Sequence, residues 1–282
     1  MCIMSSVNTI TALCLLAMVV CVAGHYKIAA FNIQTFGRAK MDKPDVVNII
    51  KQIVLRYDII LIQEIRDSSG NSLKVLNNTL NTQEHFSYTL SPRLGRSSNY
   101  KEQYAYFYRT DRVNLVATHL YDDNTPADVF EREPYCTLFE IPEPAPWKLA
   151  LVGLHSKPDD AVEEIGYLNV VDAEVEAEFN TTNILFLGDL NAACNYASAA
   201  ELSHTEIFTN SDYSVLISRS KDTTTKSSTC AYDRIIAKGS RLKSAIVSAG
   251  VFDFKSAYSL TQQETVVVSD HFPVEITLSS SL

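Results

Sequence analysis

Beyond residue 24 the chain has no apolar run approaching the length of about 20 residues that a bilayer-spanning helix needs. It is also short of positive charge. Its 24 Lys and Arg face 33 Asp and Glu, for a net charge of −9. That deficit argues against a protein that coats nucleic acid through a cationic stripe. It leaves open an enzyme that meets a phosphate with the help of a divalent metal. No low-complexity linker and no short fixed-period repeat interrupts the sequence, and Pro142-Glu-Pro-Ala-Pro146 reads as a local stiff loop. With 46% hydrophobic and 20% charged residues the composition is that of an ordinary globular protein. One catalytic domain is expected from residue 25 to residue 282.

Cysteine is scarce as well. Of six, Cys2, Cys14 and Cys21 fall in the first two dozen residues. There, Ile10 to Val22 is apolar and uncharged and ends in Val22-Ala23-Gly24, although no Lys or Arg precedes it. This is too short for a comfortable span and ends in small residues, so residues 1–24 read as a secretory signal removed near Gly24. A secreted protein with no membrane anchor follows. Of the remaining thiols, one pair is expected in an oxidising compartment. Cys194 and Cys230, beside polar turn-like segments, are the better pair. Closing that loop is worth roughly 4 kcal/mol on the chain-entropy model. Cys136 lies in the apolar run Tyr135-Cys-Thr-Leu-Phe139 and reads as a small buried hydrophobe. Sequons at Asn77 and Asn180 fit secretion.

Two strand–helix–strand units are legible. Tyr26 to Ile33 and Ile59 to Gln63 are strands, and Pro44 to Tyr57 between them has helical period through Val46, Ile49, Ile50, Ile53, Val54 and Tyr57. Leu149 to Leu154 and Ile184 to Leu187 flank a helix opened by Pro158 and Asp159, with Val162, Ile165, Leu168, Val175 and Phe179 on its apolar stripe. Each unit predicts a parallel strand pair. Further strands are expected at Gln103–Tyr108, Tyr135–Phe139, Asp233–Ala237 and Val274–Leu278. The mixture predicts an α/β fold: a four-layer sandwich of two mixed β-sheets with helices on both outer faces.

Ligands of such sheets sit beyond the carboxyl ends of the strands. Those ends carry Asn32, Glu64, His155 and Asp189, with Asn191 two residues on. Glu102, Asp233 and the pair Asp270-His271 complete the set. Phosphodiester hydrolysis needs a base for the attacking water, an acid for the leaving oxygen, and positive charge at the phosphate. Two histidines, each beside a carboxylate, suit the first two roles. Glu64, Asp189 and Asp270 offer the oxygen ligands that Mg²⁺ prefers. Asn32 and Asn191 can bind phosphate oxygens without repelling them.

At these residues the chain resembles the secreted deoxyribonuclease I family, including its gamma-like branch, of the endonuclease/exonuclease/phosphatase superfamily. The similarity runs through Lys27-Ile-Ala-Ala-Phe-Asn-Ile-Gln-Thr-Phe-Gly37, Gln63-Glu-Ile-Arg-Asp67 and Leu94-Gly-Arg-Ser-Ser-Asn-Tyr-Lys-Glu-Gln-Tyr104. It continues through Phe130-Glu-Arg-Glu-Pro134, Leu154-His155, Gly188-Asp-Leu-Asn-Ala192, Cys230-Ala-Tyr-Asp-Arg-Ile235 and Ser269-Asp-His-Phe-Pro-Val-Glu275. The resemblance implies endonucleolytic cleavage of DNA to 5′-phosphate ends, with little sequence preference. The implied cofactors are Mg²⁺ (or Mn²⁺) and a structural or activating Ca²⁺. It implies catalytic pairs His155 with Glu102 and His271 with Asp233, the two imidazoles sharing the acid and base roles. Glu64 is the implied metal ligand, with Asp189 and Asp270 close by; Asn32 and Asn191 are phosphate binders. Arg66, Tyr100 and Arg132 are implied DNA contacts, reading minor-groove shape and backbone. Calcium loops would involve Asp128, Phe130 and Glu133, and Asp222 with Thr224. The Cys194–Cys230 disulfide is implied too.

The departures are specific. The loop Asp122-Asp-Asn-Thr-Pro-Ala-Asp128 is short and lacks the cysteines of the family's small disulfide loop. Lys226 puts a cation in the second calcium loop. Tyr135 replaces a small residue of the family's actin-binding surface, so actin binding is not expected, and a monomer is. The chain ends Ser-Ser-Ser-Leu, without a basic tail. Other readings are a sphingomyelinase- or phosphatase-type member of the superfamily, and a catalytically silent nucleic-acid or actin binder. Arg66 and Tyr100 oppose the former, and the four intact catalytic side chains oppose the latter.

Overall fold

The computed structural model describes residues 24–123, 128–142 and 145–280. The expected leader up to residue 23 lies outside them, as do parts of the loops 122–128 and 142–146. The strands are β1 (His25–Phe36), β2 (Ile59–Ile65), β3 (Phe86–Leu90), β4 (Gln103–Arg109), β5 (Asn114–Leu120) and β6 (Tyr135–Ile141). They continue with β7 (Trp147–Gly153), β8 (Ile184–Asp189), β9 (Tyr213–Val215), β10 (Asp233–Lys238), β11 (Ile246–Val251) and β12 (Val274–Ser279). One six-stranded sheet runs β11-β12-β1-β2-β4-β3 and the other β5-β6-β7-β8-β10-β9.

Both sheets are mixed. β1 and β2 are parallel, Ile28 opposite Ile59, with the helix Pro44–Val54 between them in sequence. β7 and β8 are parallel, Ala150 opposite Ile184. The single helix expected from Pro158 is in fact broken. A 3₁₀ turn at Pro158–Asp160 leads into Ala161–Gly166, and Leu168–Phe179 follows. Gly166, a poor helix former, stands at the second break.

Period-two alternation sends Tyr26, Ile28 and Ala30 of β1 to one face and Ala29, Phe31 and Ile33 to the other. The first set packs between the sheets in one cluster with Leu149, Leu151, Leu185 and Leu187. The second packs with Val46, Ile50 and Ile53 of the helix Pro44–Val54, and with Leu73 and Leu76 of the helix Asn71–Leu80. Beyond the second sheet, Ala150, Val152, Ile184 and Phe186 meet Ile165, Leu168, Val171 and Val175. Three apolar clusters thus separate four layers, helix–sheet–sheet–helix, as the sequence predicts. Among the described residues no helix is long and apolar enough to cross a membrane.

Cys194 and Cys230 are bonded, with Cα atoms 5.9 Å apart across 36 residues, and tie the segment after β8 to the one entering β10. Cys136 is a free, buried thiol whose pKa burial pushes up.

Candidate active site

At one end a buried amide bridges the two sheets. Gln63, at the end of β2, donates from Nε2 to the Leu154 carbonyl at 2.7 Å, and its Oε1 accepts from the Asp189 N–H at 2.9 Å. Gly188 makes this approach possible. With φ +134°, any Cβ there would lie 2.3 Å from the Leu154 oxygen and 2.7 Å from Gln63 Nε2. Just past this point Glu64 (φ 57°) and Asn191 (φ 48°) adopt the left-handed conformation that costs a side-chain-bearing residue roughly 1 kcal/mol or more. Both bends aim a polar side chain into the same cleft.

That cleft, of about 220 Å³, is lined by Glu64, His155, Asp189, Asn191, Lys226, Asp270 and His271, with Tyr196 and Tyr232 on one wall. Two imidazoles face each other in it. His155 Nδ1 is 2.9 Å from Glu102 Oε2, and His271 Nδ1 is 2.8 Å from Asp233 Oδ2. The opposite ring nitrogens point inward, each Nε2 lying 3.5 Å from Asp189 Oδ2. One carboxylate oxygen therefore marks the point on which both pairs converge. Register explains part of this, since Asp233 opens β10 directly opposite Asp189 at the end of β8.

The electrostatics follow from burial and charge. Burial pushes the Glu102 carboxyl up, but the hydrogen bond and charge of His155, with Arg132 behind, bring it down to about 2. Asp189 is fully buried, yet the two imidazoles and bonds from Asn32 and the Asn191 N–H hold it below the usual carboxylate range. Burial pushes Asp233 up. Burial alone would lower His271, but Asp233, Asp189 and Asp270 outweigh it and raise the imidazole to about 10.

Asn32 donates from Nδ2 to Glu64 Oε1 at 2.9 Å and to Asp189 Oδ2 at 3.0 Å, so it organises the carboxylates. Asn191 donates to the Ser156 carbonyl at 2.9 Å. Asp189, Asp233 and His271 place three ligand atoms within 4.8 Å of one another. Asp233 is fully buried behind the imidazole it pairs with, whereas Glu64 and Asp270 border the cleft, where a cation could keep waters. Asp270 Oδ1 has no hydrogen-bond partner. The hard-oxygen set Glu64, Asp189 and Asp270 therefore fits a divalent ion such as Mg²⁺.

Arg66 and Tyr100 come together at the rim, the guanidinium 3.6 Å from the ring centroid. Arg132 stands apart from them. It is 6% exposed, donates from Nε to the His155 carbonyl at 3.0 Å, and lies 3.6 Å from Glu102. Asp128 pairs with Arg96 at 3.3 Å, Phe130 donates its N–H to Asp123, and Glu133 is half-buried. Asp222 Oδ1 accepts from the Thr224 N–H and hydroxyl and from the Cys230 N–H, so it closes its own loop. Asn180 is exposed at a helix end, and Asn77 is half-buried on the helix Asn71–Leu80.

Four contributors were not foreseen as such. Gln63 joins the sheets. The Tyr104 hydroxyl accepts from the His155 N–H at 2.8 Å. Lys40, buried, donates to the carbonyls of Val267 and Val268 just before the Asp270-His271 segment. Lys226, read only as a misfit in a calcium loop, places its ammonium 2.8 Å from Asp270. Gln63 and Lys226 sit inside recognisable motifs, but their sequence neighbours give no hint of their partners.

The profile of the Endonuclease/Exonuclease/phosphatase family matches residues 29–271, which takes in this cleft from Asn32 to His271. The chain belongs to that family. Its place there is with the deoxyribonuclease I group. It is 42% identical to Deoxyribonuclease-1 of Bos taurus over 260 residues, covering 90% of this chain and 92% of that one. It is 39% identical to Deoxyribonuclease gamma of Rattus norvegicus over 264 residues, covering 90% and 85%. An endonuclease/exonuclease/phosphatase family protein from Bacteroides thetaiotaomicron shares the fold, with a TM-score of 0.65 at 16% identity over 92% of this chain and 99% of that one.

Proposed function

We propose that the chain is a secreted, divalent-metal-dependent endonuclease that hydrolyses DNA phosphodiester bonds with little sequence preference. The observation that carries this reading is the convergence of two imidazole Nε2 atoms on one Asp189 oxygen, each at 3.5 Å. One imidazole takes a proton from water as its oxygen bonds to phosphorus. The other gives a proton to the 3′ oxygen as the P–O3′ bond breaks, leaving a 5′-phosphate. Glu102 and Asp233 fix the ring orientations and stabilise the charged imidazoles. Glu64, Asp189 and Asp270 would hold Mg²⁺ or Mn²⁺, which supplies Lewis-acid stabilisation of charge on the phosphate. Asn191, on the cleft wall, contacts a phosphate oxygen, while Asn32 keeps Glu64 and Asp189 in place through its two amide hydrogens. Arg66 stacked on Tyr100 enters the minor groove, where it reads shape. Calcium is a structural or activating ion in this reading. Residues 1–24 are a removed leader, residues 25–282 are one catalytic domain, and the enzyme acts as a monomer without actin.

Nicking of supercoiled plasmid by purified protein tests the proposal, with Mg²⁺ and Ca²⁺ or with chelator. Conversion to open circles with metal and none with chelator is expected. Glu64→Gln is expected to raise the Mg²⁺ needed for half-maximal rate about tenfold or more. Absence of nicking under every divalent condition would remove the proposal.

A further inference from the structure

A second cluster of charge lies behind the His271–Asp233 pair and takes no part in the chemistry above. Arg234 follows Asp233 on β10 and points away from the cleft. It is among the largest fully buried side chains, 1% exposed. Its Nη1 donates to the Ile217 carbonyl at 2.6 Å and its Nη2 to the Ala192 carbonyl at 2.8 Å, while Nε has no partner. A second guanidinium, Arg219, reaches the same Ala192 oxygen at 3.4 Å. Among the described residues neither arginine forms an ion pair. Burial and the charge of Arg219 push Arg234 down to about 10, against the opposing pull of Asp233 beside it.

Two guanidiniums converge on one carbonyl with no anion bonded to either among the described residues, and only the charge of the neighbouring Asp233 offsets them at Arg234. A buried charge is tolerated when paired, and a like charge beside it adds to the cost. Both arginines line a cavity of about 340 Å³ whose other walls include Leu202, Phe208 and Val215. The Arg234 guanidinium is 5.9 Å from the Phe208 ring centroid. The pocket has cationic groups at one side and mainly hydrocarbon or aromatic surface around the rest, with the polar side chains of Ser203 and Thr209 among it.

We infer that this pocket binds a small organic monoanion, a carboxylate or sulfonate carried on a compact apolar body. The anion would sit against Arg219 and the field of Arg234, and the apolar body against Leu202, Phe208 and Val215. Binding there touches the backbone next to Asn191, because both arginines hold the Ala192 carbonyl. The site is separate from the cleft and does not depend on the reaction assigned to it.

Thermal unfolding of the full chain with benzenesulfonate as probe tests the inference, with inorganic sulfate and chloride at matched ionic strength alongside. A saturable rise in melting temperature is expected with benzenesulfonate, about 5 °C at a hundredfold excess over Kd. Chloride should give none. Arg219→Gln should weaken probe binding at least about tenfold by titration calorimetry and leave plasmid nicking without probe unchanged. Val215→Glu, at an exposed pocket position, should likewise abolish the shift by placing a carboxylate there. No saturable shift with benzenesulfonate, or an equal shift in Arg219→Gln, would overturn the proposal. Binding of inorganic sulfate in preference to benzenesulfonate would overturn its apolar half.

Discussion

The two histidine–carboxylate pairs present the same geometry to the cleft and different surroundings behind it. Each Nε2 is 3.5 Å from Asp189 Oδ2, and each Nδ1 is within 2.9 Å of its carboxylate. Glu102 is shared, with Arg132 3.6 Å away and Tyr100 within reach. Asp233 is fully buried and, among the described residues, forms an ion pair only with His271. On the first side, then, a fixed guanidinium already balances the carboxylate. On the second, the imidazole supplies the whole countercharge, which is why its proton is held so firmly. Identical front faces can thus carry unequal electrostatic dependence on the residue behind.

That inequality is open to attack by substitution. Asp233→Asn should lower the nicking rate about 10³-fold, and Glu102→Gln about 10²-fold, because Arg132 screens part of what Glu102 gives to His155. Equal losses would erase the distinction. The bracing is lopsided as well. The Cys194–Cys230 bridge sits three residues before Asp233, and among the described residues no disulfide braces the other side. Reduction should remove roughly 4 kcal/mol of stability, or about 10 °C of melting temperature. An unchanged melting curve in reductant contradicts this.

On the His155 side, Arg132→Met would leave Glu102 buried without its only guanidinium among the described residues, keeping His155 and Tyr100. A loss of about 3 kcal/mol in urea unfolding is expected, larger than any change from Arg66→Met at the half-buried rim. The smallest effect concerns Glu164, which also lies on that side. Burial raises its carboxyl to about 7 despite N–H bonds from Glu131 and Lys157. A raised acid binds its proton more tightly when folded. Its contribution is therefore complete below about pH 4.5 and is lost as pH rises through about 7. Glu164→Gln should flatten the fall in stability between those values by about 2 kcal/mol, and an unaltered slope would show that Glu164 does not titrate there.

What could be read in advance follows the same division between shared and solitary surroundings. The eight strands expected from apolar runs are the eight interior ones. β3, β5, β9 and β11 were not foreseen, and they are the four sheet edges. An edge strand buries little, as the alternating exposure of Asn114–Leu120 shows, so its sequence lacks a continuous apolar signature. In the site, Glu64, His155, Asp189 and His271 were legible because each ends or borders an interior strand. Arg132 was assigned to DNA on resemblance, and the fold buries it against Glu102. Lys40 and Lys226 find their partners 227 and 44 residues away, a distance no local pattern encodes.

The central claim is that the two imidazoles act as one unit on one phosphate. Single-turnover nicking by His155→Ala, His271→Ala and the double variant tests it directly. Groups that act as a unit are strongly non-additive. Each single variant should fall about 10³- to 10⁴-fold, and the double should be little worse than either. A single variant within about tenfold of the unaltered chain, or losses that multiply in the double, would contradict the account.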